Sequence, residues 1–279
     1  MKRVFGKHFA TAIAALSATA TLATALFNLE GIKQCWIYGA IGAIIVLAGS
    51  AIYALWQIRS KKEIELNLSS ELKLTVKEGD LFKQKGVICI PFNEYFETHV
   101  GDGVVGKDTL HGIFINKYFE DRVGELDKRI SEALPKDGFE ECKRRVETCP
   151  TRKYPLGTCI SLREGENTYV LFALTHFDSN DIANVSRSEF TEVIGKLTKY
   201  LNDTVEDKPV FMPLFGTGLS RVNRTAQRIL IHIVDTLDFN DTVTIKGGVN
   251  IIIKSLRKVN VNLNTVEYIV KQGIVEKEQ

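Results

Sequence analysis

The sequence holds no CxxC pair, and its five cysteines (Cys35, Cys89, Cys142, Cys149 and Cys159) fall at no zinc-finger spacing with histidine. An odd, scattered set reads as reduced thiols rather than a disulfide framework or a metal site. Cys89 and Cys159 lie in apolar runs and read as core. GK[ST] is absent, which excludes a P-loop, and GxSxG is absent, which argues against an α/β-hydrolase. There is no internal repeat and no low-complexity tract beyond the first sixty residues. Positive charge is also missing where a nucleic-acid binder would need it. The net charge of +2 divides into +6 over residues 1–62 and −4 over the remainder, so nucleic acid is set aside as a partner.

What is present begins with two apolar runs. Phe9 to Leu29 carries no charge over about 20 residues, long enough to cross a bilayer core. Lys2, Arg3 and Lys7 before it, and Ala23-Thr24-Ala25 near its end, also fit a cleavable signal peptide. Trp36 to Trp56 is the stronger span, with Trp36, Tyr38, Tyr53 and Trp56 at its ends and Arg59, Lys61 and Lys62 following. The expectation is a two-helix transmembrane hairpin over about 9–29 and 36–56, with both termini in the cytoplasm and residues 63–279 as one cytoplasmic domain. Either reading of the first run leaves that domain inside. Ala10, Ala14 and Ala18, and Gly39 with Ala43, permit close helix packing and self-association. No ionisable residue lies within either span, which argues against a proton-coupled pump.

Residues 63–279 alternate between strand and helix patterns. Ile64, Leu66 and Leu68, then Leu72, Leu74 and Val76, alternate with polar residues and predict a hairpin. Val87 to Ile90 is a fully apolar run, the pattern of a central strand. Helices are expected over Asp121–Leu134, Ser188–Leu201, Arg224–Leu237 and Thr265–Gln272. Further strands are expected over Gly157–Leu162, Tyr169–Leu174, Val210–Leu214 and Thr242–Ile253. The fold class is α/β, a three-layer domain behind the hairpin.

Two glycine-rich loops each follow an apolar strand: Val87 to Gly106 (VICIPFNEYFETHVGDGVVG) and Phe211 to Arg221 (FMPLFGTGLSR). Such loops bring backbone N–H groups close to an anion, so a phosphate-bearing, nucleotide-like ligand is expected between them. Gly101 to Gly106 matches G-x-G-x-x-G. The dinucleotide fingerprint also needs a strand directly before it and a helix directly after, and Gly112 weakens a helix downstream. Glu94, Glu97 and His99 follow the strand; they read as a solvated loop, with no matching metal-ligand set.

Gly79-Asp80-Leu81, Pro91-Phe92-Asn93, the first glycine loop and Pro213-Leu214-Phe215-Gly216-Thr217-Gly218-Leu219 occur in an order that resembles the macrodomain, an ADP-ribose-binding α/β/α module. With two membrane helices in front, the chain resembles the membrane-anchored macrodomain effectors of type II Thoeris anti-phage systems in bacteria. The resemblance implies a ligand-gated effector in the cell membrane rather than an enzyme. Its signal would be an ADP-ribose derivative, the histidine conjugate, made from NAD by a TIR-domain protein; the effector would then self-associate and damage the membrane. No cofactor, metal or catalytic residue is implied. Asp80 with Leu81 would meet the adenine. Gly101, Asp102, Gly103, Val104, Val105 and Gly106 would embrace a ribose and one phosphate. Phe215, Gly216, Thr217, Gly218 and Leu219 would hold the diphosphate with Arg221, and Asn93 would sit by the distal ribose. For Asp80, an Asx turn is the alternative. Hydrolytic macrodomains of one large class carry an Asn and an acid where this chain has Ile90 and Val105, which favours sensing over hydrolysis. The alternatives are a membrane-tethered ADP-ribosyl hydrolase and an anchor for ADP-ribosylated proteins.

Overall fold

A computed structural model describes residues 44, 48–49, 61–68, 72–101, 104–142, 149–178, 182–218, 222, 224–239 and 243–277. The chain divides into two units, residues 1–60 and 61–279. The expected spans at 9–29 and 36–56 lie outside the described residues, apart from Ile44, Ala48 and Gly49, which are helical and exposed. Among the described residues no helix is long and apolar enough to cross a membrane.

The second unit runs in order β1 (Glu63–Asn67), β2 (Lys73–Glu78), a 3-10 turn (Leu81–Lys83), β3 (Val87–Asn93), α1 (Leu110–Phe119), α2 (Val123–Ala133), β4 (Glu140–Glu141), β5 (Arg152–Lys153), β6 (Cys159–Glu164), β7 (Asn167–Phe177), β8 (Ala183–Asn184), α3 (Arg187–Thr204), β9 (Val210–Pro213), α4 (Ala226–Asp238), β10 (Val249–Ile253), α5 (Leu256–Val259) and α6 (Leu263–Lys277). The main sheet has the order β1-β2-β10-β9-β3-β7-β6, with β8 added to β7. From β2 through β7 every neighbouring pair is parallel, and β1, β6 and β8 run antiparallel at the margins.

Burial follows position in the sheet. β1 alternates exposed and buried residues, as an edge strand covered on one face does, whereas Tyr169 to Leu174 of β7 are buried without a break. Along β7 successive side chains point to opposite faces. Tyr169 packs against Phe114 of α1 with the rings tilted by 51° and centroids 4.9 Å apart, and Phe172 meets Phe215, which in turn meets Phe190 of α3. Helices therefore cover both faces, and the domain has three layers. The S-x-x-E signature at Ser186–Glu189 forms a full capping box at the start of α3. Phe190, Val193, Ile194, Leu197 and Leu201 form the buried face of that helix.

Within residues 61–279 the expected helices and strands are present, the last strand only as Val249–Ile253, while α1, the short α5 and the two-residue strands β4, β5 and β8 were not foreseen. Gly112 marks α1 as a poor helix in sequence, yet α1 forms and contains it. Thr109 caps it, its hydroxyl accepting from the Gly112 N–H at 3.0 Å and donating to the Gly106 carbonyl at 2.7 Å. A Cβ on Gly112 would lie 2.3 Å from the Gly106 carbonyl oxygen. The glycine lets the helix press against its own loop, and that contact outweighs about 1 kcal/mol of helix propensity.

Candidate ligand-binding cleft

The carboxyl ends of the parallel strands β3, β7 and β9 open into a cleft of about 500 Å³, the position and size at which α/β sheets bind small ligands. Pro91, Phe92 and Asn93 form its floor on β3, and Leu174, Thr175 and Phe177 extend it along β7. A register shift between Phe92 and Asn93 puts Asn93 opposite Thr175. Such a bulge re-aims side chains, so successive residues of one strand line one hollow.

One wall is the loop from Val104 to His111. Gly101, at φ 118°, starts a tight turn; its N–H donates to the Val105 carbonyl at 3.0 Å and its carbonyl accepts from Val104 at 2.9 Å. The facing wall is Leu214 to Gly218. Gly216 sits at φ 87°, and a Cβ there would lie 2.7 Å from the Phe190 ring. The N–H groups of Gly216, Thr217 and Gly218 make no hydrogen bond to another described residue. They form a row of bare donors of the kind that suits an anion. No lysine or arginine is among the described lining residues, and Asp108 is the single carboxylate there.

Of the sequence-predicted residues, Asn93, Val104, Val105, Gly106, Phe215, Gly216, Thr217 and Gly218 line this cleft together. Asp80 and Leu81 do not. Asp80 Oδ1 accepts from the Phe82 N–H at 3.0 Å, the Asx cap that its sequence also allowed, and Leu81 is buried. Gly101 supports the first wall from behind. Asp102, Gly103, Leu219 and Arg221 lie outside the described residues.

Residues 74–254 match the family described as Thoeris protein ThsA, Macro domain. The chain belongs to the ThsA macrodomain family. It is 29% identical over 161 residues to Thoeris protein ThsA of Bacillus amyloliquefaciens, a match covering 57% of this chain and 52% of that protein. The chain thus spans about half the length of that relative. Two structures of the Oceanobacillus iheyensis macrodomain, a glycine-to-valine mutant with ADPR and a form with ADP, each superpose with a TM-score of 0.51 at 12% and 11% identity. Both cover 75% of this chain, and the alignments take in 99% and 97% of the respective macrodomains. At that identity the likeness speaks for the fold.

The ThsA-family cleft corrects the reading of its own approach loop. Glu94 and Glu97 are buried, at 0% and 1% exposure, rather than solvated. Phe96 turns the chain at φ 51° and packs between Phe92 and Tyr154, drawing both carboxylates inside. Glu97 Oε1 accepts from the N–H groups of Thr98 and His99 at 3.0 and 2.9 Å. Glu94 accepts from the Phe177 N–H at 2.9 Å and bonds His176, whose other ring nitrogen lies 3.0 Å from Glu189 of α3. Hydrogen bonds from Ser186, and then from His176, hold the Glu189 carboxyl down to about 2. These groups brace the ends of β3, β7 and α3. Among the described residues no His, Cys, Asp and Glu cluster is arranged to hold a metal.

Ile90 is core and Val105 packs with Val104 and Cys149, so neither position offers an acid or base. Burial pushes the Cys89 thiol up, and takes that of Cys159 up to about 12, which leaves both as inert packing. Among the lining residues that sequence reasoning missed, such as Thr109, Thr175 and Phe177, the one with an ionisable ring is His111. A lone histidine in a helix with an unfavourable glycine carries no signal; only the fold brings it into the same cleft as Asn93.

Proposed function

We propose that this ThsA-family macrodomain is the sensor of a membrane effector in bacterial anti-phage defence, and that its cleft binds an ADP-ribose-bearing signal. The observation that carries the reading is the pairing of free backbone donors at Gly216, Thr217 and Gly218 with the buried amide of Asn93 across one cleft at the strand ends. A diphosphate suits the first group and a ribose the second. Asp80 Oδ2 has no partner among the described residues and remains open to the adenine amino group. The signal is the histidine conjugate of ADP-ribose, supplied by a TIR-domain protein. Its binding drives association through the small-residue faces of residues 9–29 and 36–56, and the assembled helices disrupt the cell membrane in which they sit, with the macrodomain and both termini cytoplasmic. No cofactor takes part. The missing Asn and acid at Ile90 and Val105 support sensing over hydrolysis.

The test is titration of the full chain in detergent micelles with ADP-ribose, its histidine conjugate and NAD. Chromatography follows the ligand, light scattering follows assembly, and dye release from vesicles follows membrane damage. Selective binding of the conjugate with assembly and leakage, and with the ligand recovered intact, is the expected result. Cleaved ligand would establish the hydrolase in its place. Binding without assembly would leave an anchor, and no binding would remove the macrodomain function from this cleft.

A further inference from the structure

We propose that His111 is a specificity residue of the cleft: its Nδ1 accepts a hydrogen bond from an N–H or O–H on the ligand's distal end, beside the group to which Asn93 Nδ2 donates. The inference rests on the reading of the cleft as an ADP-ribose site and adds which ligands that site takes.

Asn93 is 2% exposed, and its amide has a fixed orientation. Oδ1 accepts from the N–H groups of Tyr95 and Glu97 at 3.0 and 3.2 Å. Nδ2 is therefore the remaining end, and it is a buried donor with no partner among the described residues. Buried donors are almost always paired in folded proteins, so an orphan on the lining of a cleft points to a ligand acceptor.

His111 supplies the complementary half. It stands in the first turn of α1 with its ring over Phe92, centroids 3.5 Å apart, and is 7% exposed. Its Nε2 lies 2.6 Å from the Glu97 carbonyl oxygen. A carbonyl only accepts, so Nε2 carries the hydrogen and Nδ1 is a bare lone pair in the neutral ring. Burial holds the ring neutral, moving its pKa down to about 3. No described residue donates to Nδ1.

The two halves share one clasp. The Glu97 N–H fixes Asn93, and the Glu97 carbonyl fixes His111. A single residue thus poses one donor and one acceptor in the same cleft. Together they fit a ligand end that both accepts and donates, such as a ribose bearing a free hydroxyl or an N-linked group with a free N–H. An end that only accepts leaves the Nδ1 lone pair opposed to another lone pair.

The experiment compares ADP-ribose with its methyl glycoside, in which a methyl replaces the hydrogen of the anomeric hydroxyl. The full chain in micelles is used, and the ratio of the two dissociation constants is read. Wild type is expected to favour ADP-ribose by at least about tenfold, as sites built to bond a hydroxyl do. His111→Leu is expected to bring the ratio close to one. His111→Asn, whose Oδ1 falls where Nδ1 lies, is expected to keep the ratio above that of the leucine variant. It also covers the case in which His111→Leu does not fold. The wild-type ratio stays constant between pH 5 and 8, because a neutral buried ring does not titrate there. A wild-type ratio near one, or a ratio that neither variant changes, overturns the assignment of His111 while leaving the cleft in place. Failure of wild type to bind either compound overturns the reading of the cleft itself.

Discussion

The two walls of the cleft differ in kind. The floor residue Asn93 and the adjoining wall residue His111 present side chains, each held by a buried hydrogen bond to the segment Tyr95–Glu97. The wall from Leu214 to Gly218 presents backbone donors at Gly216 to Gly218, and its Phe215 ring is packed against Phe172 and Phe190. Side-chain groups with one fixed donor and one fixed acceptor discriminate among ligands. A row of backbone N–H groups holds any anion of the right size and shape. On the proposed function, recognition and retention fall to separate segments, and substitutions in the two walls are expected to have different consequences.

The largest effect is expected at the base of the discriminating wall. Gly112→Ala places a methyl 2.3 Å from the Gly106 carbonyl oxygen and 3.2 Å from the Lys107 Cα, both backbone atoms. The loop must move, at a cost of about 1–3 kcal/mol in stability. Titration should show every ADP-ribose compound losing affinity, and an unchanged affinity would mean that α1 does not position this wall. Gly216→Ala comes next, because its methyl meets side chains rather than backbone, the buried Phe190 ring at 2.7 Å and Val222 at 3.2 Å. The positive φ still costs about 1–2 kcal/mol. Affinity should fall equally for ADP, ADP-ribose and the conjugate, the mark of a wall that retains without choosing. A loss confined to one of the three would break the comparison.

A third effect concerns stability rather than binding. His111 has an ordinary pKa of 6.5 and a folded value of about 3, so the unfolded chain binds the extra proton as pH falls below 6.5. The contribution of this ring is fully present above pH 6.5 and disappears as pH drops toward 3. Between pH 7 and 4.5 the wild type should lose about 2–3 kcal/mol more than His111→Leu in urea unfolding. Parallel losses would show that the ring is not held neutral. The smallest effect is expected at Asp80→Asn, which keeps the cap on Phe82 and removes only the carboxylate charge. Melting temperature should stay within about one degree, and affinity should fall several-fold through the adenine. No change in affinity would remove Asp80 from the site.

That Phe215 to Gly218 would line a cleft at the strand ends was legible in the sequence, and much of the facing side was not. Phe215-Gly216-Thr217-Gly218 after an apolar strand announces a backbone site by composition alone, and the alternation of Ile64 to Val76 announces the sheet edge. His111 could not be read in the same way. Its role depends on the neutral tautomer, which a distant carbonyl sets, and on the bulge at Phe92 and Asn93. Glu94 and Glu97 look solvated because charge usually is; Tyr95 and Phe96 between them were the available hint that this stretch turns inward. Gly112 was read through propensity, whereas its effect comes from a contact with Gly106 that one-dimensional spacing does not display.

The absence of lysine and arginine from the described lining has a kinetic side. A hollow that holds an anion through N–H dipoles casts little field into solution, so it does not pull charged molecules in from a distance. With the described lining acting alone, ligands would arrive at ordinary diffusive encounter rates, with weak dependence on ionic strength. What separates the correct signal from other diphosphates is then how long each stays once it has entered.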